Sequence, residues 1–422
     1  MSTKIDMNIP LELLGLSDIK IIEINLINKR ELTIKVESTK EITSCRICGK
    51  DCKPHGQDRP MELRHLSMFG YKTTIQLSPK RGICYECGEK PVSTTQTLDW
   101  YDRHARQTKP YEEHLLFELI NSTVADDSRK EEIDYHTIDT LIDKKIDVKV
   151  DFSLIDYLGI IGIDEISLLK GRQKYVTIIT YRYNGQVRIL AVLKGRTKQV
   201  VKAFFESIPY RFKQTVTAVC SDLYDGFINS AKEVFGDRVI TADRFHVAKL
   251  YRKKLITVRK SELARLKKKL TADEYKPLKD GVSLLRKGRD YFTEEEKLVV
   301  ADLFKYSPKL QLAYQFSRKL TSIFATHHTK ESAEKEFKNW IAEVASSRLT
   351  CFKTFIKTLK KYMNEITNYF LERNSSGFVE GFNNKIKVLT RRSYGLRSAG
   401  RLFQRLKLDT EGLGMFRFSG AF

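Results

Sequence analysis

Residues 20–38, "KIIEINLINKRELTIKVES", alternate apolar and polar positions on both sides of an Asn-Lys-Arg turn, a pattern that predicts a β-hairpin. From 45 to 92 β-prone segments are interleaved with cysteine pairs. Between Thr97 and about residue 146 the apolar spacing becomes helical, with "YEEHLLFELI" and "YHTIDTLID" as helices and the polar "ADDSRKEEID" between them. Two short helices with a polar joint are compatible with a helix-turn-helix, although the acids there suit phosphate contact poorly. A plain helical linker is the alternative.

The middle of the chain is more regular. "LGIIGIDEISLL", "KYVTIITYRY" and "QVRILAVLKG" read as three successive strands, the second and third joined by Asn184-Gly185, a hairpin turn signal. A helix, "TKQVVKAFFESI", stops at Pro209. A fourth strand, "TVTAVCSDLY", leads into the helix "GFINSAKEVFG" and a fifth strand, "RVITADRFHV". The order βββαβαβ predicts an α/β fold in which helices cover a mixed sheet, the order of an RNase H-like, retroviral-integrase-like core. Beyond Leu250 the chain is charged and helix-prone to about 370. The expected domains are a β-hairpin and zinc-binding domain (1–95), a helical segment with a helix-turn-helix pattern (96–150), the first part of the core (151–250), a basic helical insertion (251–370), and a core-completing helix with a basic tail (371–422).

Charge changes the picture. The formal net charge is +22, and residues 249–289 hold 15 Lys or Arg against 4 acids. Such clustering points to a polyanion, because each phosphate neutralised releases condensed counterions. An anionic membrane surface fits less well, since the stretch has no clean apolar face with aromatic anchors. The first residues, "MSTKIDMNIPLELLGLSD", lack the order of a secretion signal, and the longest apolar run, "YLGIIGI", is far shorter than a span of about 20 residues. A cytoplasmic, nucleoid-associated protein without membrane contact is expected, and in that compartment its seven cysteines serve as thiols or metal ligands rather than disulfides.

The acids of the core fall at strand ends. Asp164 lies inside the apolar first strand and Asp222 ends the fourth. In the three-strand-first topology these strands are neighbours, so the carboxylates can converge. Close carboxylates repel unless a cation or proton lies between them. Two Mg²⁺ (or Mn²⁺) ions would satisfy them and could activate a nucleophile and stabilise a leaving oxygen. A third acid, Glu380, sits in "SSGFVEGFNNKIKVLTRRSYG". A capping-box role for it is incomplete, because three residues back is Gly377, which has no hydroxyl. Taken one at a time, each acid also has a structural explanation: a buried ion pair for Asp164, a turn cap for Asp222.

"GIDEI", "VCSDLYDGF", "ADRFHVAKL" and "SSGFVEGFNNKIK", in this order, resemble insertion-sequence transposases of the DDE class, and specifically the ISL-three family. The resemblance covers nearly the whole chain. It implies that Asp164, Asp222 and Glu380 form the catalytic, metal-binding triad. The implied activity is metal-dependent DNA strand cleavage and strand transfer. Double-stranded DNA, as element terminal inverted repeats and target, is the implied partner, with a homodimer or larger synaptic complex. Asp243 and His246 are family features, candidates for support behind the metal ligands. On a helix begun near Gly377, Asn383, Asn384 and Lys387 share the face of Glu380. Together with Lys385, Arg391 and Arg392 they are candidates for DNA contact. A DNA-binding regulator without catalysis and a related RNase H-like metal nuclease are the alternatives.

Cys45-x-x-Cys48 and Cys84-x-x-Cys87, each followed by a glycine, are spaced for two knuckles of a closed structural Zn²⁺ site. The intervening residues, 49–83, exceed the usual ribbon spacing, and a β-sheet excursion would account for them. Cys52 and His55 are substitute ligands to consider. Family members carry a zinc-binding segment here, which supports the same reading. Cys220 and Cys351 read as core thiols.

Overall fold

The structure, a computed structural model, describes residues 2–5, 9–41, 43–87, 90–168, 175–236, 239–286, 292–372, 377–393, 396 and 398–416; at 2, 183, 280–282, 286 and 377–380 it describes the backbone alone. The chain forms two compact units, Met1–Asp147 together with Lys407–Phe422, and Val148–Leu406.

The first unit opens with β1 (Ser2–Lys4), β2 (Ile19–Ile27), β3 (Glu31–Ser38), β4 (Lys53–Gln57), β5 (Met61–Met68), β6 (Tyr71–Leu77), β7 (Lys80–Cys84) and β8 (Val92–Thr95). The predicted hairpin is β2–β3, paired antiparallel from Ile19↔Ser38 to Ile27↔Glu31. Asn28 and Lys29 take left-handed φ values of 49° and 54°, which tighten its turn. Five strands make a sheet in the order β1-β2-β3-β6-β5, and β4-β7-β8 make a second, smaller one. Alternate residues of the larger sheet, Ile34, Leu63 and Ile75 among them, are fully buried.

Three helices follow: α1 (Lys109–Glu118), α2 (Val124–Glu131) and α3 (Tyr135–Lys145). The polar stretch expected to be a joint is itself the helix α2. Thr123 caps it by accepting from the Asp126 N–H, Asp126 and Asp127 occupy its first turn, and Arg129 and Lys130 its last. Charges matched to the helix dipole stabilise a segment with almost no apolar face. Residues 407–416 belong to this unit: Leu408 is buried with Leu115, Ile138 and Ile142, and Asp409 accepts from the Asn121 N–H at 3.0 Å.

The second unit contains β9 (Gly159–Ser167), β10 (Tyr175–Tyr183), β11 (Gln186–Lys194), α4 (Lys198–Ser207), α5 (Tyr210–Lys213), β12 (Val216–Ser221), α6 (Asp225–Phe235) and β13 (Val239–Ala242). The sheet order is β11-β10-β9-β12-β13; β9 and β12 are parallel neighbours, and β10 is antiparallel to both β9 and β11. Asn184 (φ 49°) and Gly185 (φ 76°) form the two-residue β10–β11 turn that their sequence announces. On one face, Val201, Phe205, Phe227 and Ile228 of α4 and α6 are buried in a core with Ile161 and Val219 of the sheet.

The remaining helices are α7 (Arg244–Lys267), α8 (Ala272–Gly281), α9 (Glu294–Tyr306), α10 (Pro308–Ala325), α11 (Lys330–Ser346), α12 (Lys353–Lys361), α13 (Met363–Thr367), α14 (Tyr369–Glu372), α15 (Gly377–Arg392) and α16 (Ala399–Met415). The helical insertion is not a separate body. Its buried Phe324, Phe337, Trp340 and Phe352 share one core with the α4/α6 face, and Asn368 donates to the Ile240 carbonyl of β13 at 2.9 Å. The opposite face of the sheet is covered by α15 and the start of α16, through Phe382, Ile386, Leu389, Leu402 and Phe403. The fold is mixed α/β, and among the described residues no helix is long and apolar enough to cross a membrane.

Candidate active site and cysteine cluster

Register brings the first two acids together. Ser221 at the end of β12 pairs with Ile163 on β9, so Asp222 and Asp164 occupy adjoining positions on two central neighbours of the sheet. Asp164 is 9% exposed. Its Oδ1 accepts from the Glu165 N–H at 2.6 Å, and its Oδ2 accepts from the Asn383 side-chain amide of α15. Burial first, and the charge of Asp222 second, push the Asp164 carboxyl up to about 6.

Asp243 and His246 lie beyond the fifth strand, which ends at Ala242. Asp243 is the N-cap of α7, accepting from the Phe245 N–H at 2.8 Å, and His246 stands in the first turn. The switch from strand to helix follows from the cap, because an Asp side chain satisfies an otherwise orphaned N–H. His246 Nδ1 lies 2.5 Å from Asp222 Oδ1 and 2.8 Å from Asp243 Oδ2. Burial alone would lower its pKa; hydrogen bonds and charge from the two carboxylates outweigh that and hold it at about 10. The imidazolium thus balances charge between two acids. Ligand atoms of Asp164, Asp222 and His246 all lie within 4.8 Å of one another, a donor set that could hold a metal ion.

A cavity of about 920 Å³ opens over this cluster. Asp164, Asp243, His246 and Asn383 line it on one side, and Lys249, Arg252, Lys253 and Lys387 supply a basic wall. Residues 249, 252 and 253 follow the helical period of α7, so the sequence's basic run starts at the cavity.

Glu380 lies on the first turn of α15, one turn before Asn383; its side chain lies outside the described residues. Among the DNA-contact candidates, Asn384, Lys387 and Arg391 are exposed, while Lys385 and Arg392 are half-buried. Asn383 differs from expectation. It is 8% exposed and spends its amide on Asp164, since helical spacing sets it on the face of α15 that meets the sheet. That contact could be anticipated only by knowing which strand α15 covers. Glu165 accepts from Arg196 Nη1 with both carboxylate oxygens, at 3.0 and 2.8 Å. Asp225 pairs with Lys361 at 2.5 Å and Tyr362 at 2.7 Å, tying α6 to the helical insertion.

The cysteines converge in the first unit. Sγ atoms of Cys45, Cys48, Cys84 and Cys87 lie within 4.8 Å of one another, with Cys45 to Cys87 at 3.3 Å and Cys48 to Cys84 at 3.7 Å. Four sulfurs at about 2.3 Å from one tetrahedral ion would be separated by about 3.8 Å, so the cluster fits a metal. Gly49 (φ 73°) closes the first knuckle. N–H groups at Cys48 and Ile47 point at the Cys45 sulfur and bring its pKa down to about 6, whereas Cys87, hydrogen-bonded to Cys45, is pushed up. A cation among the four sulfurs would favour their thiolate forms. Lys50 Nζ joins Glu86 at 2.6 Å across the two knuckles. Gly88 lies outside the described residues. The sheet excursion is real: β5 and β6, within residues 49–83, leave for the larger sheet, and β4 and β7 return as partners. Cys52 and His55 are not in the cluster. Cys52 is buried against Gly82, where a Cβ would come within 2.5 Å of its own Cβ, and His55 is exposed on β4. Cys220 is fully buried and its thiol pushed up to about 12 by burial; Cys351 is half-buried.

A basic cavity thus lies over a pair of acids on neighbouring strands of a mixed sheet. A transposase family of the DDE type, ISL3, matches residues 161–406, and the chain belongs to that family of DNA-cleaving and DNA-transferring enzymes. It is 26% identical over 387 residues to the transposase for insertion sequence element IS1001 of Bordetella parapertussis, covering 91% of this chain and 92% of the relative. It is 23% identical over 391 residues to the transposase for insertion sequence element IS1557 of Mycobacterium tuberculosis, covering 87% and 86%.

Proposed function

We propose that the chain cleaves DNA at the ends of an insertion element and joins those ends to target DNA, using divalent cations held by Asp164, Asp222 and Glu380. The observation that carries this reading is the delivery of Asp164 and Asp222 from adjacent parallel strands to one buried, charge-strained point. Glu380 enters by its position on α15, the helix whose Asn383 reaches Asp164. The sheet order supports an RNase H-like core.

Two bound Mg²⁺ or Mn²⁺ ions would supply an activated water or 3′-hydroxyl and stabilise the leaving oxygen. The residues of the chain do the rest. Asn383 fixes the rotamer of Asp164, and His246 neutralises Asp222 and Asp243. Lys387, Lys249, Arg252 and Lys253 hold phosphates, with Asn384, Lys385, Arg391 and Arg392 extending the track. The Cys45, Cys48, Cys84 and Cys87 cluster holds structural Zn²⁺. The first unit, including the α1–α3 helices, recognises element ends, and two ends are brought together in at least a homodimer, in the cytoplasm on the nucleoid.

The test is Glu380→Gln with a duplex carrying an element end. Metal-dependent cleavage is expected to disappear while DNA affinity stays within about threefold, since one neutral replacement removes a ligand but no phosphate contact. Full cleavage by that variant would refute the triad.

A further inference from the structure

A second basic cavity, of about 710 Å³, lies in the first unit beside the cysteine cluster. Lys40, Arg46, Arg81 and Arg103 reach it, six Ser or Thr residues line it, and no acid does. Lys40 is paired with Asp18 at 2.8 Å. Among the described residues no carboxylate forms an ion pair with Arg46, Arg81 or Arg103. Asp58, outside the lining, is satisfied by the Thr95 hydroxyl at 2.7 Å and the Arg59 N–H at 2.9 Å.

The site is built rather than scattered. Arg81 on β7 donates to the Ser93 hydroxyl of β8 at 2.9 Å, which holds its guanidinium in place. Gln96 donates to the Lys40 carbonyl at 3.1 Å and fixes the rim. Arg46 lies between the two cysteines of the first knuckle, and its N–H donates to Thr94 at 3.2 Å. The metal knuckle and one wall of the cavity are therefore one structure.

We infer that this cavity binds a backbone phosphate of DNA, gripped by Arg46, Arg81 and Arg103 and by the hydroxyls around them. The chemistry is that of an anion with several acceptor oxygens: guanidinium forks and hydroxyl donors converge, and Asp58, whose charge reaches Arg81, lies outside the lining. A free phosphate would satisfy the same donors. The DNA assignment rests on the proposed recognition of element ends by this unit, and it makes the cysteine cluster the scaffold of a phosphate clamp.

The experiment measures duplex DNA binding by the full chain across 50–200 mM salt. Removing one phosphate-binding side chain lowers the slope of log K against log[salt] by about 0.9, so the affinity change over that range shrinks by about threefold to fourfold. R81Q and R103Q are each expected to show this, R81K to keep the wild-type slope, and zinc content to stay constant in all three. Arg103 is exposed on a loop, so R103Q reports even if R81Q unfolds. An unchanged slope in R103Q and in folded R81Q overturns the assignment. So does thermal stabilisation of the DNA-free protein by millimolar inorganic phosphate that R81Q abolishes without altering the DNA slope, which would make the cavity a free-anion site. Absence of salt-dependent DNA binding in the wild-type chain would instead sink the DNA reading of the whole protein, and the clamp with it.

Discussion

The side-chain amide of Asn383, on a helix, donates to the carboxylate of Asp164, on the strand beneath it. This hydrogen bond joins the two chain segments that the proposed metal site needs, 219 residues apart in sequence. Removing it by Asn383→Ala leaves Asp164 buried with one partner fewer. Residues that orient metal ligands typically change metal affinity or activity by about 10- to 100-fold. We therefore expect Asn383→Ala to weaken Mn²⁺ binding within that range, as read by calorimetry, with cleavage reduced in step. Unaltered Mn²⁺ affinity would show that Asn383 does not position Asp164.

Cysteine chemistry gives a separate prediction. Replacing Cys45 and Cys84 together by serine takes one ligand from each knuckle and should release bound zinc and unfold the small β4-β7-β8 sheet. Chelation of the wild-type protein should lower the first thermal transition in the same way. Stoichiometric zinc in the double variant would remove the four-cysteine assignment.

His65 makes stability depend on pH. It is 1% exposed, and its Nδ1 lies 2.9 Å from the Thr108 hydroxyl that caps α1. Burial lowers its pKa from 6.5 to about 4. The unfolded chain takes up a proton that the folded chain refuses. The stabilisation is thus complete above pH 6.5 and is lost progressively as pH falls toward 4. The full window amounts to about 3 kcal/mol. Denaturant unfolding of the first unit between pH 7 and 4 should show this slope, and His65→Gln should flatten it. Equal slopes in both proteins would remove His65 as the cause.

Gly159 begins the strand that carries Asp164. Its φ is 61°, and a Cβ would come within 2.8 Å of the Arg182 carbonyl. Gly159→Ala combines left-handed strain with a backbone clash and should cost about 1–3 kcal/mol. The readout is the unfolding midpoint of the second unit. A midpoint within about one degree of wild type, given about 2–4 °C per kcal/mol for a domain of this size, would contradict it.

The sequence made the β2–β3 hairpin, the Asn184-Gly185 turn and the five strands of the second unit legible, because each combines a period of two with a turn residue that enforces it. The adjacency of Asp164 and Asp222 followed from strand order. The convergence of Cys45, Cys48, Cys84 and Cys87 followed from paired spacing. What escaped depended on partners distant in sequence. The α2 segment has charge but almost no apolar period, so only its Thr123 cap and dipole-matched ends marked it as helical. Asp243 looked like the end of a strand because its role as a helix cap is set by φ and ψ, which composition does not reveal. Asn383 looked like a surface amide because burial on α15 depends on which sheet face the helix covers.

The residues that close the first unit leave the ribosome after the second unit. Leu408 fills its helical core and Asp409 caps the Asn121 N–H, yet both are made only after the entire second unit. A nascent chain or a truncated product therefore carries the cysteine cluster and α1–α3 without their final layer of packing. Competence of the N-terminal unit is in this way tied to translation through residue 409, so that a product cut short before it lacks part of the core beneath its own helices.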